Sequence, residues 1–132
     1  MKMKNDGCKA FFSEQAAGLI DPAAGSRNAI TESLTNLIWA PLKDNLKSVS
    51  LSANWMWPCK NEGEDARLYK AVKAVSEFAI DLGINVPTGK DSLSMKQKYT
   101  DGEVISPGTV IISAHHGVQA YKFHVARVKR PL

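Results

Sequence analysis

Helical periodicity opens after Asp21-Pro22-Ala23-Ala24, where Ile30, Leu34, Leu37 and Ile38 recur on one side of a 3.6-residue repeat. An Asp ahead of the first turn accepts hydrogen bonds from free N–H groups, and Pro has the φ that a first helical position needs. A helix therefore starts there, and Pro41 ends it. Residues 48–54 alternate small polar with apolar side chains, which predicts a strand with one buried face. Residues 55–63 hold Trp55, Trp57, Pro58 and Gly63 and read as an irregular connection. A second helix begins with Glu64 and Asp65, whose charges complement the helix dipole. Its predicted apolar stripe is Ala66, Tyr69, Val72, Val75, Phe78, Ala79 and Leu82, and Gly83 is its natural stop.

Residues 92–99 predict a further strand with Leu93, Met95 and Tyr99 on one face. Asp101-Gly102 is a turn signal, and residues 109–114 read as a short buried strand. The order helix, strand, helix, strand, strand predicts an α+β fold, a small mixed sheet with helices on one face. No internal repeat or low-complexity stretch interrupts it.

Charge changes this picture little. The chain of 132 residues carries a formal +4. Residues 1–9 contribute a net +2 and residues 121–132 a net +4, while residues 10–120 hold ten basic and twelve acidic side chains. A surface that tracks phosphates places Lys and Arg on the folded body, so no nucleic-acid partner is expected. No apolar run approaches the roughly 20 residues that span a membrane, and the first residues lack the apolar core of a secretory signal. A cytoplasmic protein with no membrane partner is the expectation. Cys8 and Cys59 follow no metal spacing and are expected as reduced, inert thiols.

Candidate chemistry is sparse. Glu32 and Asn36 lie four residues apart on the first helix, hence on one side and one turn apart. The two oxygens so placed can share a hard cation such as Mg2+, or simply face solvent. Gly89-Lys90-Asp91-Ser92 invites a P-loop reading that fails. Five residues separate Gly83 from Gly89 where a P-loop has four, and Asp91 stands where it needs a hydroxyl. Two uses remain open for Lys90, Asp91 and Ser92: a turn that offers Lys90 and Ser92 to a phosphate, or a surface turn with a weak Lys–Asp pair. Trp55 and Trp57, which follow the first strand, read as packing residues, and Glu64 with Asp65 as a dipole-matched first turn rather than an acid/base pair. His115, His116 and His124 stand in no triad pattern.

Two blocks carry a family resemblance. One is Ala53-Asn54-Trp55-Met56-Trp57 with Gly63-Glu64-Asp65-Ala66, and the other runs from Val86-Pro87-Thr88-Gly89 through Lys90-Asp91-Ser92 to Met95. Together they resemble phosphoribosylformylglycinamidine synthase, also called formylglycinamide ribonucleotide amidotransferase, of the large single-chain type. The resemblance covers roughly Gly18 to Ala114.

That family makes formylglycinamidine ribonucleotide in purine biosynthesis from formylglycinamide ribonucleotide, glutamine and ATP, releasing ADP, phosphate and glutamate. The resemblance implies Mg2+ and ATP/ADP as cofactors, and the remaining synthetase half and a glutaminase domain as partners. It implies a fold like the N-terminal domain of aminoimidazole ribonucleotide synthetase, within the second synthetase half. Glu32-Ser33-Leu34-Thr35-Asn36 matches the family's Glu-x-Leu-Thr-Asn segment, which implies that Glu32 and Asn36 are Mg2+ ligands beside a retained ADP. Lys90, Asp91 and Ser92 are then expected to line the substrate or nucleotide cleft.

The expected layout is an N-terminal extension over 1–16, a partial synthetase domain over 17–114 and a non-matching basic tail over 115–132. The glutaminase nucleophile, the glycine-rich ATP loop and further acidic Mg2+ ligands have no counterpart in the chain. A truncated or frameshifted fragment, inactive alone, is therefore the expectation. The alternative is a non-catalytic remnant or a small nucleotide-binding or interaction domain. A sheet that meets its counterpart in the family is expected to self-associate when alone.

Overall fold

The computed structural model describes residues 8–13 and 15–117. In chain order they form β1 (Cys8–Ser13), α1 (Gln15–Ile20), α2 (Pro22–Leu37), β2 (Lys43–Leu46), β3 (Val49–Met56), α3 (Glu64–Leu82), β4 (Asn85–Ser92), β5 (Lys96–Tyr99), β6 (Gly102–Ile105) and β7 (Thr109–His116). The main sheet has the order β1-β7-β3-β4. β7 runs antiparallel to both β1 and β3, whereas β3 and β4 are parallel and joined through α3. β5 and β6 make a separate antiparallel hairpin around the turn at Thr100-Asp101. This is the α+β layer expected, with a mixed sheet and helices on one face. Among the described residues, no helix is long and apolar enough to cross a membrane.

The first long helix forms for local reasons. The Asp21 carboxylate accepts from the Ala23 and Ala24 N–H groups at 2.8 and 3.1 Å, with Pro22 at the first position. Buried Ser26 and Ser33 donate their hydroxyls to the carbonyls of Pro22 and Ile30, so each enters the core with its polarity satisfied. α3 ends at Gly83, whose φ of 67° suits a residue without Cβ, and Ile84 N–H returns to the Ala79 carbonyl at 2.9 Å. At its start, Arg67 pairs with Glu64 and donates to the carbonyls of Gly18 and Leu19, tying α3 to the end of α1.

The core lies between this helix layer and the sheet. Val49, Leu51, Ala53 and Trp55 of β3 and Val110, Ile112 and Ala114 of β7 meet Ile30 and Leu37 of α2 and Ala71 and Val75 of α3. Trp57 is buried against Gly108, where an added Cβ would collide with the indole ring. Trp55 and Trp57 are packing residues, as expected, whereas Trp39 is exposed.

Several expectations change in detail. The α3 stripe shifts: Ala71, Ala74, Val75 and Ala79 are buried, while Tyr69 and Val72 are exposed. Ile38 also lies outside the core, because α2 ends at Leu37. β3 continues through Trp55 and Met56, where an irregular connection was expected. The strand expected over 92–99 is two strands, β4 ending at Ser92 and β5 starting at Lys96. α1, β1, β2, β6 and all but the last residue of β4 were not anticipated. The sheet takes in Cys8–Ser13 and runs to His116, on either side of the expected 17–114 domain. The basic residues of 121–132 and His124 lie outside the described residues.

Candidate functional site

Glu32 and Asn36 sit in the C-terminal half of α2, on the side of the helix away from Leu34. Glu32 is half-buried and Asn36 exposed. Their spacing presents a carboxylate and an amide oxygen one turn apart. Thr35, between them in sequence, spends its hydroxyl on the Glu32 carbonyl at 2.9 Å. Among the described residues, no group of three or more His, Cys, Asp or Glu side chains is placed to hold a metal ion. The pair alone offers two oxygens, fewer than a hard-cation shell needs.

Lys90, Asp91 and Ser92 lie at the carboxyl end of β4 and do not share one face of the strand. The parallel register sets Asn54 opposite Lys90, Trp55 opposite Asp91 and Met56 opposite Ser92. Side chains alternate along a strand and match across neighbours. Lys90 and Ser92 therefore share the face of Asn54 and Met56, which is turned away from the helices. Asp91 shares the side of Trp55, which is buried toward the helices. Gly89 has a steric reason: a Cβ there would strike the Ala53 carbonyl, so glycine lets the two strands run close.

The two candidate sets occupy different parts of the chain. Leu34 and Leu37 of α2, Val49 at the start of β3 and Phe78 and Leu82 at the end of α3 border one apolar groove of about 250 Å³. Asn54 lies roughly 16 Å farther along β3, at about 3.3 Å per residue. Glu32 and Asn36 thus belong to the helix layer and toward the β3 start, while Lys90 and Ser92 belong to the open sheet face at the β3 end.

One residue the sequence placed only beside the tryptophans gains interest here. Asn54 keeps its side-chain oxygen enclosed without a hydrogen-bond partner. The signal was present in the alternation of residues 48–54, which puts Asn54 on the polar face, but its neighbour across the sheet was not visible. Among other candidates, His116 is buried in β7 with its Nδ1 2.9 Å from the Gly117 carbonyl, and no acid or nucleophile completes a triad with it among the described residues. Burial pushes the Cys59 thiol above its ordinary value, with Asp65 and Glu64 adding to the effect, so it is a poor nucleophile.

Comparison with known proteins fits this architecture. The model of the FGAR-AT PurM_N-like domain matches residues 3–117. A probable phosphoribosylformylglycinamidine synthase, chloroplastic/mitochondrial, of Arabidopsis thaliana is 46% identical over 110 residues, covering 83% of this chain and 8% of that protein. A probable phosphoribosylformylglycinamidine synthase of Caenorhabditis elegans is 49% identical over 98 residues, covering 74% of this chain and 7% of that protein. The chain thus spans under a tenth of the length of these relatives. PurLQS from Thermotoga maritima shares the fold at TM-score 0.59 and 20% identity, over 89% of this chain and 19% of that one. T. maritima PurL structures complexed with ADP and with FGAR share it at TM-score 0.57 and 21% identity, each over 89% of this chain and 19% of the other. With the family model matched across the whole described sheet and both long helices, the chain belongs to the FGAR-AT PurM_N-like domain family.

Proposed function

We propose that this chain is a segment of the ATP-dependent ligase that converts formylglycinamide ribonucleotide, glutamine and ATP to formylglycinamidine ribonucleotide, ADP, phosphate and glutamate. The observation that carries the reading is its near-half identity to two synthases across most of its length. In that reaction ATP phosphorylates the formyl-amide oxygen, and ammonia released from glutamine then displaces phosphate. The segment supplies binding groups and leaves ammonia release to the glutaminase domain.

Glu32 and Asn36 fit two positions of a Mg2+ shell beside ADP, since both offer oxygen from one side of α2. Nucleotide phosphates, water and acidic residues elsewhere in the synthase fill the others. Mg2+ supplies charge neutralisation for those phosphates. Lys90 and Ser92 face the ligand side of the cleft, and Asp91 lies on the opposite face of the strand. The cytoplasm is the compartment that goes with this reading, and a fluorescent fusion collecting in an organelle would redirect it.

The test is a chimera in which residues 17–114 replace the corresponding segment of the C. elegans synthase. Glutamine- and ATP-dependent amidine formation is expected to survive, and Glu32→Ala in the chimera to lower it on the order of 100-fold, the scale of losing a metal-site group. A soluble, folded chimera without activity would sink the reading. The alternative is a free-standing nucleotide-binding domain without catalysis. It requires the isolated chain to gain thermal stability with Mg-ADP in proportion to the logarithm of ligand over Kd. We expect no such shift, and one that Glu32→Ala abolishes would favour the alternative.

A further inference from the structure

We propose that residues 118–132 of this chain dock across the apolar groove at the carboxyl ends of α2 and α3, placing an aromatic ring in the groove and basic side chains against the two helix ends. The contact does not depend on the ligase reading. It lies by Val49 at the start of β3, at the opposite end of that strand from Asn54 and its neighbour Lys90.

The groove is hydrocarbon that the described residues leave uncovered. Leu34 and Ile38 wall it from the end of α2, Phe78 and Leu82 from the end of α3, and Leu42 and Val49 from the chain between. Thr31 and Thr35 also border it, but their hydroxyls donate to the Arg27 and Glu32 carbonyls at 3.0 and 2.9 Å, within α2 itself. Ile38 is 67% exposed, a large apolar side chain left in water at the rim. Contiguous apolar surface of this kind marks an interaction site. An apolar cavity of about 150 Å³ holds a benzene ring. At about 250 Å³ the groove therefore takes one aromatic side chain and leaves room for an aliphatic neighbour.

Position, side-chain order and charge select the occupant. Val49 pairs across the sheet with His116, the last residue of β7, so the chain leaves that strand beside the groove. From Gly117 the backbone reaches Phe123 over a span of up to about 20 Å. Residues 118–132 lie outside the described residues, but their order is telling: Tyr121, Phe123 and Val125 alternate with Lys122 and His124. Laid out extended, that run turns three apolar side chains one way and the polar ones the other. Helix carboxyl ends carry partial negative charge and favour cations. Neither α2 nor α3 has a basic side chain in its last turn, and Asp81 in the last turn of α3 is exposed with no ion pair among the described residues. Residues 118–132 supply Lys122, Arg127, Lys129 and Arg130 and no acid. Residues 1–7 are the weaker fit, since they hold no aromatic ring and precede β1, one strand farther from β3.

The experiment is NMR on the full chain, seeking nuclear Overhauser contacts from the Tyr121 and Phe123 rings. Contacts to the methyl groups of Leu34, Ile38 and Leu82 are expected, and a mixture of labelled and unlabelled chains should show that they arise within one chain. Contacts only between chains assign the groove to a second copy and overturn the proposal. So do contacts from Met1 or Met3 in place of the rings, or no contact from either ring. A second measurement uses the uncharged apolar dye Nile red as a competitor for the groove. Tyr121→Ser combined with Phe123→Ser should raise dye affinity on the order of tenfold, because apparent affinity follows the fraction of chains whose groove is open. Unchanged amide signals across α2 and α3 verify that this variant is folded. Replacing Lys122, Arg127, Lys129 and Arg130 together by Gln should raise dye affinity by a smaller factor, and added salt should do the same for wild type alone. Dye affinity that the double Ser variant leaves unchanged overturns the proposal.

Discussion

On the helix side of the main sheet, β3 and β7 bury Val49, Leu51, Ala53, Trp55, Val110, Ile112 and Ala114, whereas on the far side they hold half-exposed Ser50, Ser52, Asn54, Ser113 and His115. The same two strands thus carry two unlike surfaces, written by a side-chain period of two. The helix side is closed by α2 and α3. The far side combines small hydroxyls with Asn54 and, on β4, Lys90, a combination that suits close approach of a ligand or another chain. One face keeps the domain folded, and the other is where its function is sought.

The sharpest way to break this comparison is to truncate neighbours on β3. Leu51 is 1% exposed, and Leu51→Ala is expected to cost about 2–5 kcal/mol from lost burial and the cavity left behind. Ser52→Ala, one residue on and facing the other way, should change stability by no more than about 0.5 kcal/mol. Urea denaturation of both variants checks the pair. Equal losses would mean that the open face is as tightly packed as the core.

A second effect concerns that open face and the exposed β4 edge. Unpaired strand edges and uncovered faces invite association, so the purified chain is expected to be dimeric or larger in light scattering. Ser52→Lys with Ser113→Lys places two charges in the middle of the face. This should weaken association at least tenfold, since unpaired charges resist desolvation in an interface. A monodisperse wild-type monomer would contradict the expectation.

Legibility in the sequence follows the same division. The start of α2 was readable because its causes are local: Asp21 caps and Pro22 fits. The α3 stripe was misplaced because large residues were favoured. Tyr69 and Val72 are exposed while Ala71, Ala74 and Ala79 are buried, since small side chains let α3 approach α2 and the sheet closely. β4 was unreadable for a different reason. Asn, Pro, Gly, Lys and Asp are poor strand formers, and residues 85–91 are exposed, so no alternation marks them. Pairing with β3 makes them a strand.

The candidate site shared this fate. Glu32 and Asn36 were readable as a pair because helical spacing is regular. Lys90, Asp91 and Ser92 look like one motif in the sequence, and only a strand shows that the middle residue faces the other way. Asn54 was visible as a polar-face residue, but its place opposite Lys90 depends on a non-local register.

The smallest expected effect sharpens the local side of the contrast, at the α2 N-terminus. The Asp21 carboxyl is held below its ordinary 3.8 by the backbone hydrogen bond from Ala24 and then that from Ala23, with Arg27 and Lys70 assisting. Because the folded value is the lower one, the ionised cap stabilises the protein fully above the unfolded value near 3.8. That contribution fades as the pH falls through the lowered folded value. Asn also caps helices but does not titrate. Asp21→Asn should therefore melt slightly below wild type at pH 7, by a difference that shrinks with added salt because the site is exposed. The two melting temperatures should draw together as the pH drops below 3.8 and meet once Asp21 is protonated in the folded state. A gap that stays constant down to pH 2 would show that the carboxylate charge plays no part in holding α2, and that hydrogen-bond geometry alone positions this helix.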